Sequence, residues 1–302
     1  MSDMGSYYGN PIINLPVWEE RDIASYLFAG GLAGASSLLA AGADLSARPA
    51  LARGARVTAS GAIAFSLVAL VHDLGRPARF LNMLRVVKVT SPMSMGVWLL
   101  SAYAPLSFAA TASGLLARAP RTGRAAGVAA GVLGAGVSTY TAALIADTAV
   151  PAWHEGHREL PYVFAGSAAS AAAGAGLLAA PLAQSAPAAN LAVLGAVAEL
   201  AAEHLMERRL GMVAQALHDG TAGRRLKAAK ALTAAGALGA ATVARRSRAG
   251  AALSGAALLA GSALTRFGLF EGGMASARDP RYTVEPQRAR MAAAEAAAAP
   301  VS

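Results

Sequence analysis

Eight stretches of mostly apolar residues, each near the roughly 20 needed to cross the hydrocarbon core of a bilayer, recur along the chain. They lie at 23–43, 55–73, 94–116, 125–146, 162–183, 189–207, 228–244 and 249–268. Lipid offers the backbone no hydrogen-bond partners, so a segment that spans it must satisfy its own amides. The sequence therefore predicts an all-α integral membrane protein of about eight transmembrane helices. Composition agrees: only 14% of residues are charged, against about a quarter in a water-facing domain. The seventh stretch is short and rich in Ala and Gly, and is the least distinct. Gly30/Gly34 and Gly127/Gly131 have the spacing that lets helices approach closely in lipid, although in a chain with 32 glycines such spacings also arise by chance.

The net charge of +9 sits largely in short hydrophilic gaps between apolar runs. That is a topology signal and a lipid-headgroup contact, and no nucleic-acid partner is expected. The chain has no cysteine, which excludes disulfides, thiolate metal sites and Cys-ligated clusters. The residues before Asp22 hold Pro11, Pro16, Glu19 and Glu20 but no apolar core, so no cleavable signal peptide is expected. An even number of crossings puts both termini on one side. The short gaps on the other side carry Arg48, Arg53, Arg118, Arg121, Arg124, Arg245, Arg246 and Arg248 with one acid, Asp44. This weakly favours those gaps as cytoplasmic and the termini as extracytoplasmic.

The first and fifth runs look alike. Tyr26-Leu27-Phe28-Ala29-Gly30 parallels Tyr162-Val163-Phe164-Ala165-Gly166, and each follows a tryptophan with polar neighbours, Trp18 and Trp153. The second run ends in His72-Asp73 and the sixth near Glu203-His204. The reading is two parallel four-helix units related by pseudo-twofold symmetry about the membrane normal. It divides the chain into an extramembrane segment 1–22 for partner contact, a first unit 23–146, a connecting loop 147–161, a second unit 162–268 and an extramembrane tail 269–302, expected to order only against a partner.

Ionisable side chains are costly inside a bilayer and are functional candidates there. Here Tyr26, His72, Asp73, Tyr140, Glu199, Glu203 and His204 all fall toward the side that carries the termini. Glu199 and Glu203 share a helix face at i, i+4, and Arg266 or the arginines of the 74–93 loop are possible partners. A cluster of hydrogen-bond donors and titratable groups at one membrane surface suits a quinone, whose carbonyls need donors and whose reduction needs two protons. Electrons would come from outside the chain, because no covalently bound or metal cofactor is expected in it. A haem would need facing axial ligands, for which only His72 and His204 qualify. The same buried carboxylates leave open a secondary transporter, and a purely structural anchor is a third reading.

Within 72–98 the sequence runs His72-Asp73-Leu74-Gly75-Arg76-Pro77, then Phe80-Leu81, then Ser91-Pro92-Met93-Ser94-Met95-Gly96 and Trp98. With Ile23 to Gly31, these residues resemble the NrfD/PsrC family, the polysulfide-reductase type of quinone-binding membrane anchor. The resemblance covers the first third of the chain, and the eight-helix layout extends it. It implies a membrane subunit without a prosthetic group of its own. Such a subunit passes electrons between a ferredoxin-like iron–sulfur subunit and menaquinone or ubiquinone, here with menaquinone favoured. It also implies a molybdenum- or tungsten-pterin catalytic subunit of formate dehydrogenase or polysulfide reductase type. The implied quinone contacts fall on Tyr26, His72, Asp73 and Tyr140. Tyr8, Glu19, Glu20, Arg76 and Arg79 are the expected docking surface for the iron–sulfur partner, although family members can carry Asn or His where this chain has Glu19-Glu20.

Overall fold

The computed structural model describes residues 12–74, 76 and 78–298. Tyr8, Gly75 and Pro77 lie outside these. All regular secondary structure among the described residues is helical, with no strand. The long helices are α1 (Glu20–Leu45), α2 (Pro49–Asp73), α4 (Pro92–Leu116), α5 (Pro120–Ala146), α7 (Leu160–Ala179), α8 (Ala186–Leu210), α10 (Gly220–Ala241) and α11 (Arg248–Arg278). Short helices α3 (Ala78–Met83), α6 (Pro151–Glu155) and α9 (Gln215–His218) lie in the connections, and α12 (Arg281–Ala298) follows α11. Proline in the first turn opens α2, α4, α5, α7 and α8; there its missing N–H breaks no helical bond and its fixed φ suits the helix. Seven of the long helices are long and apolar enough to cross a membrane. The exception is α10, whose first half carries Arg224, Arg225, Lys227 and Lys230. The chain is a multi-pass membrane protein.

The outward surface supports this. Val57, Phe65 and Val68 on α2, Trp98 and Phe108 on α4, Val132 on α5, Leu194 and Val197 on α8 and Leu253 on α11 are all exposed. Apolar exposure on this scale marks a surface that meets lipid or a partner rather than water. Inside, α1 and α7 are the most enclosed of the candidate spans. α1 packs on α2 and α5, α4 on α5 and α2; likewise α7 packs on α8 and α11, and α10 on α11 and α8. Between these sets α1 meets α7 and α11, and α7 meets α5.

Glycine sets the closest approaches. A Cβ on Gly174 of α7 would lie 2.6 Å from the Gly255 carbonyl oxygen of α11, and one on Gly255 would lie 2.5 Å from that of Gly174. Gly34 of α1 and Gly134 of α5 face each other in the same way. Backbone-to-backbone contact of this kind supplies the packing that lipid does not drive hydrophobically. The two tryptophans that begin the similar sequence stretches, Trp18 and Trp153, stack on each other with ring centroids 6.1 Å apart. Trp153 also donates its indole N–H to the Leu269 carbonyl at 2.8 Å.

Several helices outrun their apolar stretches, although α7 ends at Ala179, short of 183, and α10 at Ala241, short of 244. α2 begins at Pro49 rather than 55, and α10 at Gly220 rather than 228, because arginine and lysine extend each helix into the polar gap. At the end of α7, Arg248 covers the free carbonyls of Leu177, Leu178 and Ala180, which a helix C-terminus otherwise leaves unpaired. α11 continues to Arg278, ten residues past the apolar stretch that ends at 268. The tail then forms α12, tied to α6 by Arg290 and Glu155 at 3.1 Å.

Candidate functional site

The candidate residues fall into two separate places. The first is a cleft of about 90 Å³ between α1, α2, α3, α4 and α5. Its polar lining is Tyr26, Asp73 and Tyr140; the rest is apolar, including Trp18, Leu70, Met83, Met93, Leu100 and Leu144. The phenol oxygens of Tyr26 and Tyr140 hydrogen-bond to each other, which joins α1 to α5. Tyr26 is buried. The Tyr140 ring lies against Gly96 of α4: a Cβ there would sit 2.9 Å from Tyr140 Cδ2. Gly96, the last residue of the Ser-Pro-Met-Ser-Met-Gly run, thus makes room for the tyrosine. Upstream in that run Ser91 accepts from the Ser94 amide at 3.5 Å and caps α4, fixing where Gly96 falls. Asp73 closes α2, and its Oδ1 accepts from the Glu19 amide at 3.4 Å, which ties the approach to α1 against the end of α2.

His72 stands one residue, about 100°, around α2 from Asp73. It is exposed and pairs through Nδ1 with Asp22 Oδ2 at 2.6 Å, outside the cleft. Among the docking candidates Glu19, Arg76 and Arg79 are exposed. Glu20 instead forms an ion pair with Arg225, which also meets Glu271 at 2.9 Å, so it binds α10 to α1. The sequence reading passed over Trp18, Gly96, Met83 and Met93 as lining residues. Met93 and Gly96 both lie in the Ser91 to Gly96 run that carries the family resemblance, while Trp18 heads the repeated stretch.

The second place is the interior of α7, α8, α10 and α11. Glu199 and Glu203 are 1% and 2% exposed, and Arg266 is 1% exposed. Glu199 Oε1 accepts from Thr265 at 2.9 Å. Arg266 donates to the Phe164 carbonyl at 2.9 Å and lies 3.7 Å from the centre of the Phe164 ring. Its Nε and Nη1, the second oxygen of Glu199 and both oxygens of Glu203 have no hydrogen-bond partner. His204 is exposed, about 100° around α8 from Glu203. With His72 also exposed, the two histidines do not face one another as haem ligands would. No group of three or more His, Asp or Glu among the described residues is placed to hold a metal ion.

The sequence matches the family described as polysulphide reductase, NrfD, over residues 13–244, which takes in α1 to α10. The chain belongs to the polysulphide reductase NrfD family. NrfD proteins are membrane subunits of quinone-linked oxidoreductases. The matched region contains the whole cleft and the two buried glutamates, and leaves out Arg266. No curated protein matches the chain. Nothing in the fold or in the NrfD match favours the transporter reading.

Proposed function

We propose that the cleft between α1, α2, α4 and α5 is the quinone-reactive site of an electron-transferring membrane anchor. One observation carries this: two phenol hydroxyls and one carboxyl converge in a cleft that is otherwise apolar, at the membrane-surface end of the helices. A quinone ring needs apolar walls and hydrogen-bond donors at its carbonyl oxygens, and these residues supply both. At about 90 Å³ the cleft is smaller than the roughly 300–1,000 Å³ of typical ligand pockets, so it widens to take the quinone ring and leaves the isoprenoid tail outside, in the lipid. Tyr26 and Tyr140 donate to a carbonyl oxygen. Asp73, only partly buried at the surface, delivers protons as two electrons arrive and is recharged from water.

The electrons come from, or go to, a ferredoxin-like iron–sulfur subunit seated over Glu19, Arg76 and Arg79, with Tyr8 a further docking residue. A molybdenum- or tungsten-pterin subunit of formate dehydrogenase or polysulfide reductase type completes the complex. Menaquinone is favoured over ubiquinone. The residence is the inner membrane, with both termini extracytoplasmic. The topology proposed is eight crossings, α10 included, in two parallel four-helix units. Each unit closes the same ring of helix contacts, and the tryptophans at the head of the two units stack on each other across their boundary. Residues 1–22 and the tail serve partner contact, and 147–161 connects the units.

The test is to isolate the tagged full chain in mild detergent, extract its quinone and identify what co-purifies. A bound quinone and a partner with four-cysteine clusters support the reading; a lone, quinone-free protein rejects it. Within the complex, Tyr140→Phe and Asp73→Asn should each lower quinone turnover at least tenfold while the complex stays assembled. Full turnover in both would remove these residues from the site.

A further inference from the structure

The buried acids of α8 share no residue with the cleft. Glu199, Glu203 and Glu207 follow one another at i, i+4 and i+8, so they form a ladder along one helix face. The ladder leads outward. Lys230 Nζ lies 3.7 Å from Glu203 Oε2 and 2.6 Å from Glu207 Oε1, and His218 Nε2 lies 3.4 Å from Glu207 Oε2. The Lys230 side chain is 35% exposed and that of His218 50%, so this end is open on the side that carries the termini.

The inner end is closed. Over 186–198 on α8, 249–265 on α11 and 231–241 on α10 there is no titratable side chain. On α7 the only one is Tyr162, which is exposed. Of the charged groups on the outer parts of α10 and α11, Arg225 pairs with Glu271 and with Glu20, and Arg224, Lys227 and Arg278 form no ion pair with the ladder. The charged and titratable groups that contact it or lie beside its buried end are Lys230 from α10, His218 from α9 and Arg266 from α11. The buried atoms without a hydrogen bond include Glu199 Oε2, both oxygens of Glu203, Nε and Nη1 of Arg266 and the hydroxyl of Thr233, one turn inward from Lys230; of these only Glu203 Oε2 has an ion-pair contact, the 3.7 Å one with Lys230. A carboxyl group in such a place must hold a proton, gain water or find a counter-charge. Arg266 is near enough for its charge to act on both acids, yet it closes an ion pair with neither; it spends its one hydrogen bond on the Phe164 carbonyl.

We propose that α8 carries a dead-ended proton path: Glu203 and Glu199 load and release protons with water on the side that carries the termini, through Glu207, Lys230 and His218, and Arg266 is their fixed counter-charge. The step is carboxylate plus proton to carboxylic acid and back, with no electron moved. It goes beyond the quinone site and does not depend on it.

Infrared spectroscopy of the full chain in detergent tests this. The wild-type protein should show a protonated-carboxyl stretch that shifts in heavy water and is lost in Glu203→Gln or Glu199→Gln. In Lys230→Met the same shift should slow at least tenfold, because the opening to water is broken. A stretch that is absent, or that is unchanged in both glutamine variants, overturns the proposal, as does unslowed exchange in Lys230→Met. Should the variants not fold, a hydrophobic carbodiimide, which modifies protonated carboxyls, is applied to the wild type and its adducts mapped by mass spectrometry. An adduct on Glu203 or Glu199 supports the path; none on either overturns it. Tyr140→Phe should leave the stretch intact, so failure of the quinone reading and failure of this one are separable.

Discussion

The crossing of α1 with α2 and the crossing of α7 with α8 use the same device to different ends. Gly30 seats α2 at Ser66, whose hydroxyl donates to the Tyr26 carbonyl at 3.2 Å. Gly166, its counterpart in the similar stretch, seats α8 at Glu199. Where the first half has a neutral hydroxyl, the second has a carboxyl. Tyr26 is 2% exposed and turned into a cleft, while Tyr162 is 68% exposed and turned out. The first half has space, two neutral donors and one carboxyl, Asp73, that is only partly buried; the other is filled, with fully buried carboxyls and a buried guanidinium. Neutral donors can be desolvated for the cost of a hydrogen bond or less once paired, so they can line a cavity that empties and fills. Buried charges tolerate no such change without a fixed opposing charge, which matches the packed setting of Glu199, Glu203 and Arg266.

The largest expected effect breaks the charged half. Arg266→Leu removes the counter-charge, the bond to Phe164 and the stack on its ring, and should destabilise the protein by up to about 3–5 kcal/mol at a pH where Glu199 or Glu203 is ionised and left unopposed, and by less where both carry a proton. Adding Glu199→Gln should recover part of that loss. Thermal unfolding in detergent reads both. If Arg266→Leu unfolds like wild type, the second half is not organised around charge, and the contrast fails.

A middle-sized effect compares the two seats directly. Alanine gains about 0.5–1 kcal/mol over glycine in a helix. At Gly30 the new Cβ meets only the Ser66 hydroxyl, at 3.3 Å, which yields, so Gly30→Ala should be near neutral. At Gly166 it would lie 2.5 Å from the Glu199 amide nitrogen and 2.9 Å from its Cα. Backbone does not yield, and overpacking of this kind costs about 1–3 kcal/mol. Gly166→Ala should therefore unfold at clearly lower temperature than Gly30→Ala. Equal melting temperatures would mean that the two crossings are equally loose.

How much of this could be read from the chain alone follows from helix geometry. The membrane class and the family were legible, because hydropathy and the Leu74-Gly75-Arg76-Pro77 and Ser91 to Gly96 runs are local in sequence. That Tyr26, Asp73 and Tyr140 come near one another was legible too, since each lies toward the same end of its helix. What depth along a helix cannot give is direction around it. His72 beside Asp73, and His204 beside Glu203, share the depth of their neighbours and point about 100° away, so a single cluster of seven residues separates into two sites with both histidines outside. Lys230 was hidden for a related reason: it sits in the helix with the weakest apolar signal, and its meaning comes only from α8 lying alongside. Gly96 was visible as part of a motif, but its purpose depends on a tyrosine 44 positions later.

The smallest effect separates the two halves at their surface. The end of α2 meets the start of α1 through His72 and Asp22, and the end of α8 meets the residue before α7 through Arg209 and Glu159. Arg209 also donates to the Glu155 carbonyl. The hydrogen bonds from Arg209 hold the Glu159 carboxyl below the usual carboxylate range. A carboxyl whose folded value lies below its unfolded value of about 4.3 adds stability that is fully present above that value and is lost as pH falls through the folded one. Arginine stays charged throughout, so this clasp should hold at every pH above the acid range. Its partner in the first half depends on an imidazole, which carries charge only when protonated. Glu159→Gln should thus lower stability by no more than about 1 kcal/mol, as exposed pairs do, by the same amount at pH 6 and pH 8, and by less as the pH falls below about 4. Asp22→Asn should instead have an effect that shrinks between pH 6 and pH 8. Parallel pH profiles for the two variants would show that the halves are clasped alike after all.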